Sequence, residues 1–428
     1  MKAGRRLDVY APLSQPVEPA APARARYDAR GLTIPSLPEA CAARAATAPR
    51  DTAKNIPAEL TLDAVFDAYF DCRRRKRNTL NQLRFEGGLE TNLIQLYREL
   101  QDGTYEIGRS LAFVVNYPKI REIWAADFRD RIVHHVICNA IGERFLSRFI
   151  RDTYGCIAGR GTHDGLRRVS GFARSITRSW SRPAYVLKID VANFFNSIDK
   201  HRLVAIVEKR VPEEWLMKLI RQVVLHDPTG KAFFRSSRSL FDKVPRHKSL
   251  IHAEEGIGLP IGNLTSQFFA NVYLNEVDQF VKHGLKARYY GRYVDDMVLF
   301  HEDPDVLNEW CRRIDSFVQE KLALRLHPNK ISLNRADAGI NFVGFIIKPG
   351  RTYLRQTSLS RCQQKIRAWE RDGAPVDAET LQALCDGVTS YLGMLRRVNG
   401  YKARKSLCRR VESLFLHADE ECTKIWPA

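Results

Sequence analysis

Apolar residues recur at helical spacing in five long stretches of this 428-residue chain. In the first stretch, Leu62, Phe66 and Tyr69 fall on one face of a predicted helix. In the second, Asp102 and Gly103 end the periodic pattern, as glycine commonly does after a helix. The helices predicted in this way span residues 57–76, 89–105, 129–150, 266–285 and 305–324.

Shorter apolar runs predict strands between these helices. Residues 110–128 read as two short strands that turn at Pro118, and 184–199 as a strand that runs into a polar-aromatic turn. Residues 340–348 predict another strand, and "ARYYGRYVDDMVLFH" (287–301) predicts a hairpin with its two aspartates at the turn. Beyond about residue 355 the pattern is helical and strongly basic. The fold class that follows is α+β.

The beginning of the chain differs from the rest in composition. Residues 1–55 are rich in Ala, Pro and Arg and lack periodicity, which predicts a flexible, disordered basic arm. No apolar stretch typical of a secretion signal or a membrane span is present. The nine cysteines are scattered without a Cys-x-x-Cys pair, which favours reduced thiols. We therefore expect a cytoplasmic protein with no membrane partner.

The charge balance indicates a class of partner. Lys and Arg outnumber Asp and Glu by 68 to 49, a formal net charge of +19. A surplus of this size favours a polyanionic partner, most often nucleic acid, over an ordinary basic soluble protein.

Three aspartates carry the candidate chemistry. Asp190 ends an apolar strand, and Asp295 and Asp296 lie at the turn of the predicted hairpin, which could pair beside that strand. Carboxylates brought together in this way repel one another unless divalent cations neutralise them. Mg²⁺ takes oxygen ligands, usually a few carboxylates and substrate phosphates. Two such ions about 4 Å apart are the arrangement that nucleotidyl transfer needs, and the basic surface would supply the nucleic acid.

The same motifs resemble the palm of reverse transcriptases. The resemblance rests on "YVDD" (293–296), on "KIDVANFFNSID" and "GLPIGNLTSQFFANVYLNEVD" before it, and on "NKISL" and "NFVGF" after it. It covers roughly residues 56–400 and implies a right-hand polymerase, an RNA-directed DNA polymerase with two Mg²⁺ ions. The domains that it implies are N-terminal helices and fingers at 56–183, a palm at 184–348 with a basic insertion at 231–255, and a helical basic thumb at 349–428.

The resemblance also implies roles for the aspartates and their neighbours. Asp190 would be the first metal ligand, assisted by the backbone carbonyl of Val191, and Asp295 the second shared ligand. Asp296 would be the supporting acidic residue and metal ligand of the pair. Phe195 falls where reverse transcriptases hold an aromatic ring under the sugar of the incoming nucleotide, so that it excludes a 2′-hydroxyl and selects dNTPs.

Further substrate-binding roles follow from the same resemblance. Ile261, Gly262 and Gln267 would bind the substrate. Gly262 would let the backbone approach the nucleotide or template closely. Lys119 and Arg121 are candidates to clamp the triphosphate.

Three more residues complete the implied site. Lys330 aligns with the lysine that protonates the departing pyrophosphate; the alternative is a solvated loop lysine. "NFVGF", with Phe342 and Gly344, resembles the primer grip. The basic C-terminal helices, including residues 391–410, would hold an RNA–DNA hybrid by its shape, and their alternative is a solvated basic face.

The loop at 261–267 departs from the common pattern of the family. Many reverse transcriptases have glutamine before the glycine, where this chain has Ile261. This form, with "FRDRIVHHVICNAI" and "YGCIAGRGTHDG" upstream, looks like the reverse transcriptases of bacterial diversity-generating retroelements, which copy a template RNA with errors and work with a small basic accessory protein. We therefore expect an error-prone enzyme.

Alternative functions remain open at this point. The insertion at 231–255 and the long arm are also compatible with an antiphage-defence reverse transcriptase that uses a structured non-coding RNA or no template. Less favoured are a non-catalytic RNA-binding or maturation factor, since all three aspartates are present, and an RNA-dependent RNA polymerase, which must admit the 2′-hydroxyl near Phe195. A nuclease is disfavoured because no additional acidic cluster is visible.

Overall fold

The structure, a computed structural model, describes residues 59–74, 79–116, 119–372, 378–412 and 416–427. Its helices are α1 Leu62–Arg73, α2 Leu80–Glu86, α3 Leu89–Asp102, α4 Phe128–Leu146, α5 Thr162–Ile176, α6 Phe194–Ser197, α7 Lys200–Glu208, α8 Glu214–Leu225, α9 Arg238–Phe241, α10 Leu264–Gln279, α11 Pro304–Leu322, α12 Gln356–Asp372, α13 Ala378–Arg396 and α14 Tyr401–Glu412. Its strands are β1 Ser110–Val115, β2 Arg121–Ala125, β3 Tyr185–Ile189, β4 Ala232–Phe234, β5 Tyr289–Tyr293, β6 Asp296–His301, β7 Ser332–Arg335, β8 Ile340–Phe342, β9 Phe345–Lys348, β10 Arg351–Leu354, β11 Leu416–Ala418 and β12 Ile425–Pro427.

The five helices predicted from apolar periodicity all form, as α1, α3, α4, α10 and α11. Helix α3 ends where its sequence predicts, because Gly103 adopts the left-handed conformation, with φ +70°, that closes a helix. Helix α10 is shorter than predicted, since its last turn, Phe280–Gly284, is π-helical. The predicted arm at 1–55 and the turn at Pro118 lie outside the described residues.

The largest sheet among the described residues is antiparallel and has four strands in the order β5-β6-β3-β7; we call it the central sheet. Successive residues of a strand point to opposite faces, and strands β3 and β6 are buried on both faces. Leu187 and Met297 belong to the core that includes α10 and α11. Val186 and Phe300 belong to a second core, with α5 and the C-terminal helices. The near-continuous apolar runs of β3 and β6 follow from this double burial.

A second sheet has the order β2-β1-β4. Its strand β4 comes from the basic insertion at 231–255. Strand β4 pairs in parallel with β1, from Ser110↔Ala232 to Ala112↔Phe234. One face of this sheet packs on a small core of its own. In this core Trp124 contacts Phe241 at a ring-centroid distance of 6.2 Å. The insertion is therefore an integral part of this sheet.

The C-terminal part contains the predicted basic helices, a three-stranded antiparallel sheet in the order β10-β9-β8 and a final two-stranded hairpin. The strand predicted at 340–348 is split into β8 and β9, because Val343 and Gly344 both have positive φ, +44° and +87°. Strands β11 and β12 pair at the end of the chain. No helix in the described ranges is both long and apolar enough to cross a bilayer. The predicted α+β class is confirmed.

Candidate active site

Two neighbouring strands of the central sheet bring the predicted aspartates together. In the antiparallel register of β3 and β6, Ile189 pairs with Met297. One further step along this register places Asp190 opposite Asp296. The β5–β6 hairpin pairs Tyr293 with Asp296. The turn therefore consists of Val294 and Asp295, and the prediction that Asp296 lies in the turn was wrong by one residue.

Two of the three carboxylates, those of Asp190 and Asp296, are each paired with a lysine. Nζ of Lys330 lies 2.6 Å from Oδ1 of Asp190, and Nζ of Lys188 lies 3.2 Å from Oδ1 of Asp296. Lys188 lies on β3, two residues before Asp190, and the two side chains therefore point to the same face of the sheet. The backbone of Asp190 is also held, because the His327 N–H donates a 2.8 Å hydrogen bond to the Asp190 carbonyl.

The protonation behaviour of Asp295 shows how closely the carboxylates interact. Burial and the neighbouring Asp190 carboxylate raise the pKa of Asp295 to about 6, and Asp296 adds to the rise. Burial likewise raises the pKa of Asp296, against the opposing effect of Lys188. Burial is the main cause of both raised pKa values, and repulsion from the Asp190 carboxylate adds to each of them.

The chemistry of these donors suits a hard divalent cation, but their arrangement is not a finished metal site. Within the described residues, no group of three or more His, Cys, Asp and Glu side chains is arranged to hold a metal ion. Lys330 and Lys188 form ion pairs with two of the three carboxylates, those of Asp190 and Asp296. The carboxylate oxygens of Asp190 and Asp295, with the Val191 carbonyl, would hold Mg²⁺ once Asp190 is released by Lys330.

Two adjacent phenylalanines follow Asp190 and differ in burial. Phe194 is 3% exposed and belongs to the large core. Phe195 packs only at the edge of that core, with its ring 5.3 Å from that of Phe194. Phe195 is therefore the ring left partly open, as its predicted role at the nucleotide sugar requires. Its carbonyl accepts a hydrogen bond of 2.7 Å from the Leu259 N–H, which ties it to the next loop.

The loop with Ile261 and Gly262 lies directly against strand β2. The Ile261 carbonyl accepts a 2.8 Å hydrogen bond from the Trp124 N–H. Gly262 has φ +129°, and a Cβ there would lie 2.9 Å from Cγ2 of Ile123. The glycine is thus required by close approach to β2, which is a contact within the protein that the sequence did not indicate. Gln267, on the first turns of α10, is exposed.

The two residues predicted to bind the triphosphate, Lys119 and Arg121, lie at the start of β2. Arg121 begins β2, and Lys119 lies just before it in the connection from β1. Both are exposed and therefore accessible to a ligand. Arg121 is two residues from Ile123, the side chain that contacts Gly262, so that these two candidate subsites are neighbours.

The predicted primer-grip residues form the turn between β8 and β9. Phe342 is fully buried against Tyr154, at a ring-centroid distance of 6.2 Å. Its side chain is a core residue, and Val343 in the turn packs against the same core while remaining half-buried. The Gly344 carbonyl accepts from the Arg355 N–H at 2.9 Å.

A buried ion pair behind the β5–β6 turn was missed in the sequence. Arg292 and Asp278 are both fully buried, and Nη2 of Arg292 lies 2.7 Å from Oδ2 of Asp278. The signal was present, since an arginine inside a strand and an aspartate inside an apolar helical stretch both need a buried partner. Neither pattern says that the two belong to each other. Lys188 was missed for the same reason.

Comparison with models of protein families matches residues 117–347 to "Reverse transcriptase (RNA-dependent DNA polymerase)". The match covers more than half of the 428-residue chain. The chain belongs to the reverse transcriptase family. The enzyme class and the right-hand polymerase fold predicted from its motifs are thereby confirmed.

Curated relatives and solved structures are similar to this reverse transcriptase at low identity. Protein YkfC of Escherichia coli is 22% identical over 302 residues, which cover 62% of this chain and 73% of YkfC. The group II intron-encoded protein LtrA of Lactococcus lactis is 22% identical over 199 residues, covering 46% of this chain and 29% of LtrA. A structure of Candida albicans telomerase in complex with a fragment of telomeric RNA matches with a TM-score of 0.43 and 9% identity, over 73% of this chain and 62% of that chain.

Proposed function

We propose that this reverse transcriptase makes cDNA from a dedicated RNA by nucleotidyl transfer with two Mg²⁺ ions. Residues 56–183 would form the fingers, together with the insertion at 231–255, which is built into the β1–β2 sheet. Residues 184–348 would be the palm and 349–428 the thumb. Template RNA, the RNA–DNA hybrid and dNTPs would be its ligands.

The observation that carries this proposal is the register of β3 with β6. One step beyond its last pair, Ile189 with Met297, this register would set Asp190 opposite Asp296 and next to the turn that carries Asp295. Bound divalent cations would activate the primer 3′-hydroxyl and stabilise the departing pyrophosphate. They would also relieve the repulsion that raises the pKa of Asp295.

The residues around the carboxylates would each act on one part of the substrates. Lys330, released from Asp190, would donate a proton from Nζ to the leaving pyrophosphate. The partly open ring of Phe195 would lie under the sugar and exclude a 2′-hydroxyl. Lys119 and Arg121 would bind the triphosphate, Arg121 through paired hydrogen bonds. The turn at Val343 and Gly344 would position the primer end.

The retroelement type is the proposed biological setting, and Ile261 supports it. A side chain that has no amide cannot hydrogen-bond the incoming nucleotide, so geometric selection of the base pair should be looser. Such an enzyme would be error-prone and would work with a small basic accessory protein. The antiphage-defence alternative would use a structured non-coding RNA, or no template, and the insertion at 231–255 is compatible with it.

Primer extension on poly(rA)/oligo(dT) tests the proposed reaction. We expect extension with dTTP and Mg²⁺, little extension with UTP, and none in EDTA. Failure to extend with dTTP in the presence of Mg²⁺ would reject the proposal, and equal use of UTP would favour an RNA polymerase. The neighbouring genes separate the two settings, since a template and variable repeat pair indicates a retroelement and a non-coding RNA in a defence island indicates immunity.

A further inference from the structure

The guanidinium of Arg292 makes hydrogen bonds in two directions inside the protein. On one side, its Nε and Nη2 donate to the two carboxylate oxygens of Asp278, at 2.8 and 2.7 Å. On the other side, its Nη1 donates to the carbonyl oxygen of Val294 at 2.8 Å and to Oδ1 of Asn271 at 3.2 Å. Val294 is the residue directly before Asp295. The buried pair therefore ends on the turn that carries the candidate metal ligand.

The Asp278 carboxylate is fully occupied by buried donors. Besides Arg292, the Tyr290 hydroxyl donates to Oδ1 at 2.7 Å and the Thr153 hydroxyl to Oδ2 at 2.9 Å. A buried ion pair has a large desolvation cost, and an apolar pair of the same volume is often at least as stabilising. Stability alone therefore does not account for an ionic pair here. The directional bond to the Val294 carbonyl is something that an apolar pair could not provide.

The backbone of Val294 needs such a bond. Its φ of +55° lies in the left-handed region, which β-branched residues rarely occupy. Strain of this kind persists only where the surroundings over-determine the conformation, and it is concentrated at functional sites. Arg292 fixes the carbonyl of this residue from inside the protein.

A second contact also restrains Val294. Gly155 packs so closely that a Cβ there would lie 2.7 Å from Cγ2 of Val294 and 2.9 Å from its nitrogen. The Gly155 carbonyl accepts a 2.8 Å hydrogen bond from Nδ2 of Asn271. Asn271 thus contacts both supports of Val294, the guanidinium through its oxygen and the glycine loop through its nitrogen.

We propose that Arg292 is a positioning residue for catalysis, which fixes the Val294 carbonyl and thereby the direction in which Asp295 is presented. Asp278 orients the guanidinium, and Asn271 connects it to the Gly155 loop. The proposal rests on the proposed function of Asp295 as a metal ligand. It adds a buried set of residues whose loss should affect the chemical step more than nucleotide binding.

Arg292→Lys is the variant that tests this role. Lysine keeps the positive charge beside Asp278 but lacks the planar fork that reaches Asp278 and Val294 together. We expect kcat for dTTP incorporation to fall about 10–100-fold, because small misplacements of reacting groups have effects of this size. KM for dTTP should change less than about threefold. The Mg²⁺ concentration that gives half-maximal rate should rise.

Arg144→Lys is the matched control. Arg144 also makes a two-pronged pair, with Glu213 at 2.8 and 2.9 Å, and donates to a backbone carbonyl, that of Arg210 at 2.7 Å. It lies on α4, away from the turn, so its replacement should leave kcat and the Mg²⁺ dependence unchanged. If Arg292→Lys matches this control in kcat and Mg²⁺ dependence, the positioning role is rejected.

Asn271→Ala covers the case in which Arg292→Lys does not fold. This change leaves the Arg292–Asp278 pair in place and removes the contacts of Asn271 with Nη1 and with the Gly155 carbonyl. A fall in kcat of about tenfold at unchanged KM supports the proposal, and an unchanged kcat overturns it. Asp295→Asn separates a failure of the proposed function from a failure of the positioning role. If Asp295→Asn stays active, the proposed function is wrong. If Asp295→Asn is inactive but Arg292→Lys is fully active, only the positioning role is wrong.

Discussion

Nζ of Lys330 lies 2.6 Å from Oδ1 of Asp190, so that the residue proposed to protonate the pyrophosphate neutralises the first proposed metal ligand. The two residues are 140 positions apart in the chain. They meet because β7, which follows Lys330, pairs with β3, which precedes Asp190. A cation that binds at Asp190 must compete with this ammonium group.

Replacing Lys330 with alanine should therefore have two opposite effects. The rate of incorporation should fall about 10²–10³-fold, since general-acid catalysis contributes on this scale. Mg²⁺ should bind the variant more tightly, because a competing positive charge is gone. Rapid-quench kinetics measure the first effect, and thermal stabilisation by Mg²⁺ in the absence of substrates measures the second.

Lys321→Ala, at an exposed position in the last turn of α11, serves as the control for loss of a positive charge. It should change neither quantity. Unchanged Mg²⁺ affinity in Lys330→Ala would show that the ion pair does not compete with the metal.

The stability of the metal-free protein should depend on pH through Asp295. Its pKa is raised from 3.8 to about 6 in the folded state. The folded protein therefore binds this proton more tightly than the unfolded chain, and the free energy of unfolding falls as pH rises from about 4 to 6. A tenfold change in proton affinity is about 1.4 kcal/mol, so the fall amounts to about 2–3 kcal/mol.

Asp295→Asn removes this titration. In EDTA, the variant should melt at a higher temperature than the wild type at pH 7, and the difference should disappear near pH 4. Thermal melts across this range measure the effect. A difference that stays constant with pH would contradict the assignment of the raised pKa to this carboxyl.

Phe195→Ala should relax the choice of sugar. Removing the ring opens space under the nucleotide, so the preference for dTTP over UTP should fall about 10–100-fold, the range of steric discrimination by one side-chain group. Competition assays on poly(rA)/oligo(dT) give this ratio directly. Phe194→Leu is the control: Phe194 is a core side chain, so stability should fall while sugar selection stays. Unchanged selection in Phe195→Ala would remove the residue from the nucleotide site.

Ile261→Gln should raise fidelity. The new amide would offer a hydrogen bond to the incoming nucleotide, which strengthens the selection of correctly shaped base pairs. Sequencing of cDNA made by the two enzymes on one RNA template measures the error rate. An unchanged rate would refute the role of Ile261 in error-prone synthesis.

The sequence predicted the helices and the meeting of the aspartates because both depend on local patterns. Apolar periodicity located α3 and α11 to within a few residues, and apolar strands that end in Asp190 and precede Asp295 predicted their proximity. The hairpin turn was misplaced by one residue. Whether Val294 or Asp296 occupies the turn depends on a positive φ at a valine, which propensity alone disfavours.

Other features depend on partners distant in the chain. The Lys188–Asp296 and Arg292–Asp278 pairs depend on strand register and on helix packing, which no single stretch specifies. Gly262 was expected to face a ligand, whereas its closest neighbour is Ile123 on β2. The sequence indicated only that the insertion at 231–255 is basic. That its strand β4 pairs with β1 is seen only in the structure.

DNA synthesis by Asp295→Asn decides whether this aspartate takes part in nucleotidyl transfer. The comparison is the rate of dTTP incorporation on poly(rA)/oligo(dT) at saturating Mg²⁺, with Asp337→Asn, an exposed surface change, as control. Asp337→Asn should match the wild type, whereas Asp295→Asn should lose at least about 10³-fold in rate if Asp295 is a metal ligand. A folded Asp295→Asn that synthesises DNA at the wild-type rate would exclude Asp295 from catalysis.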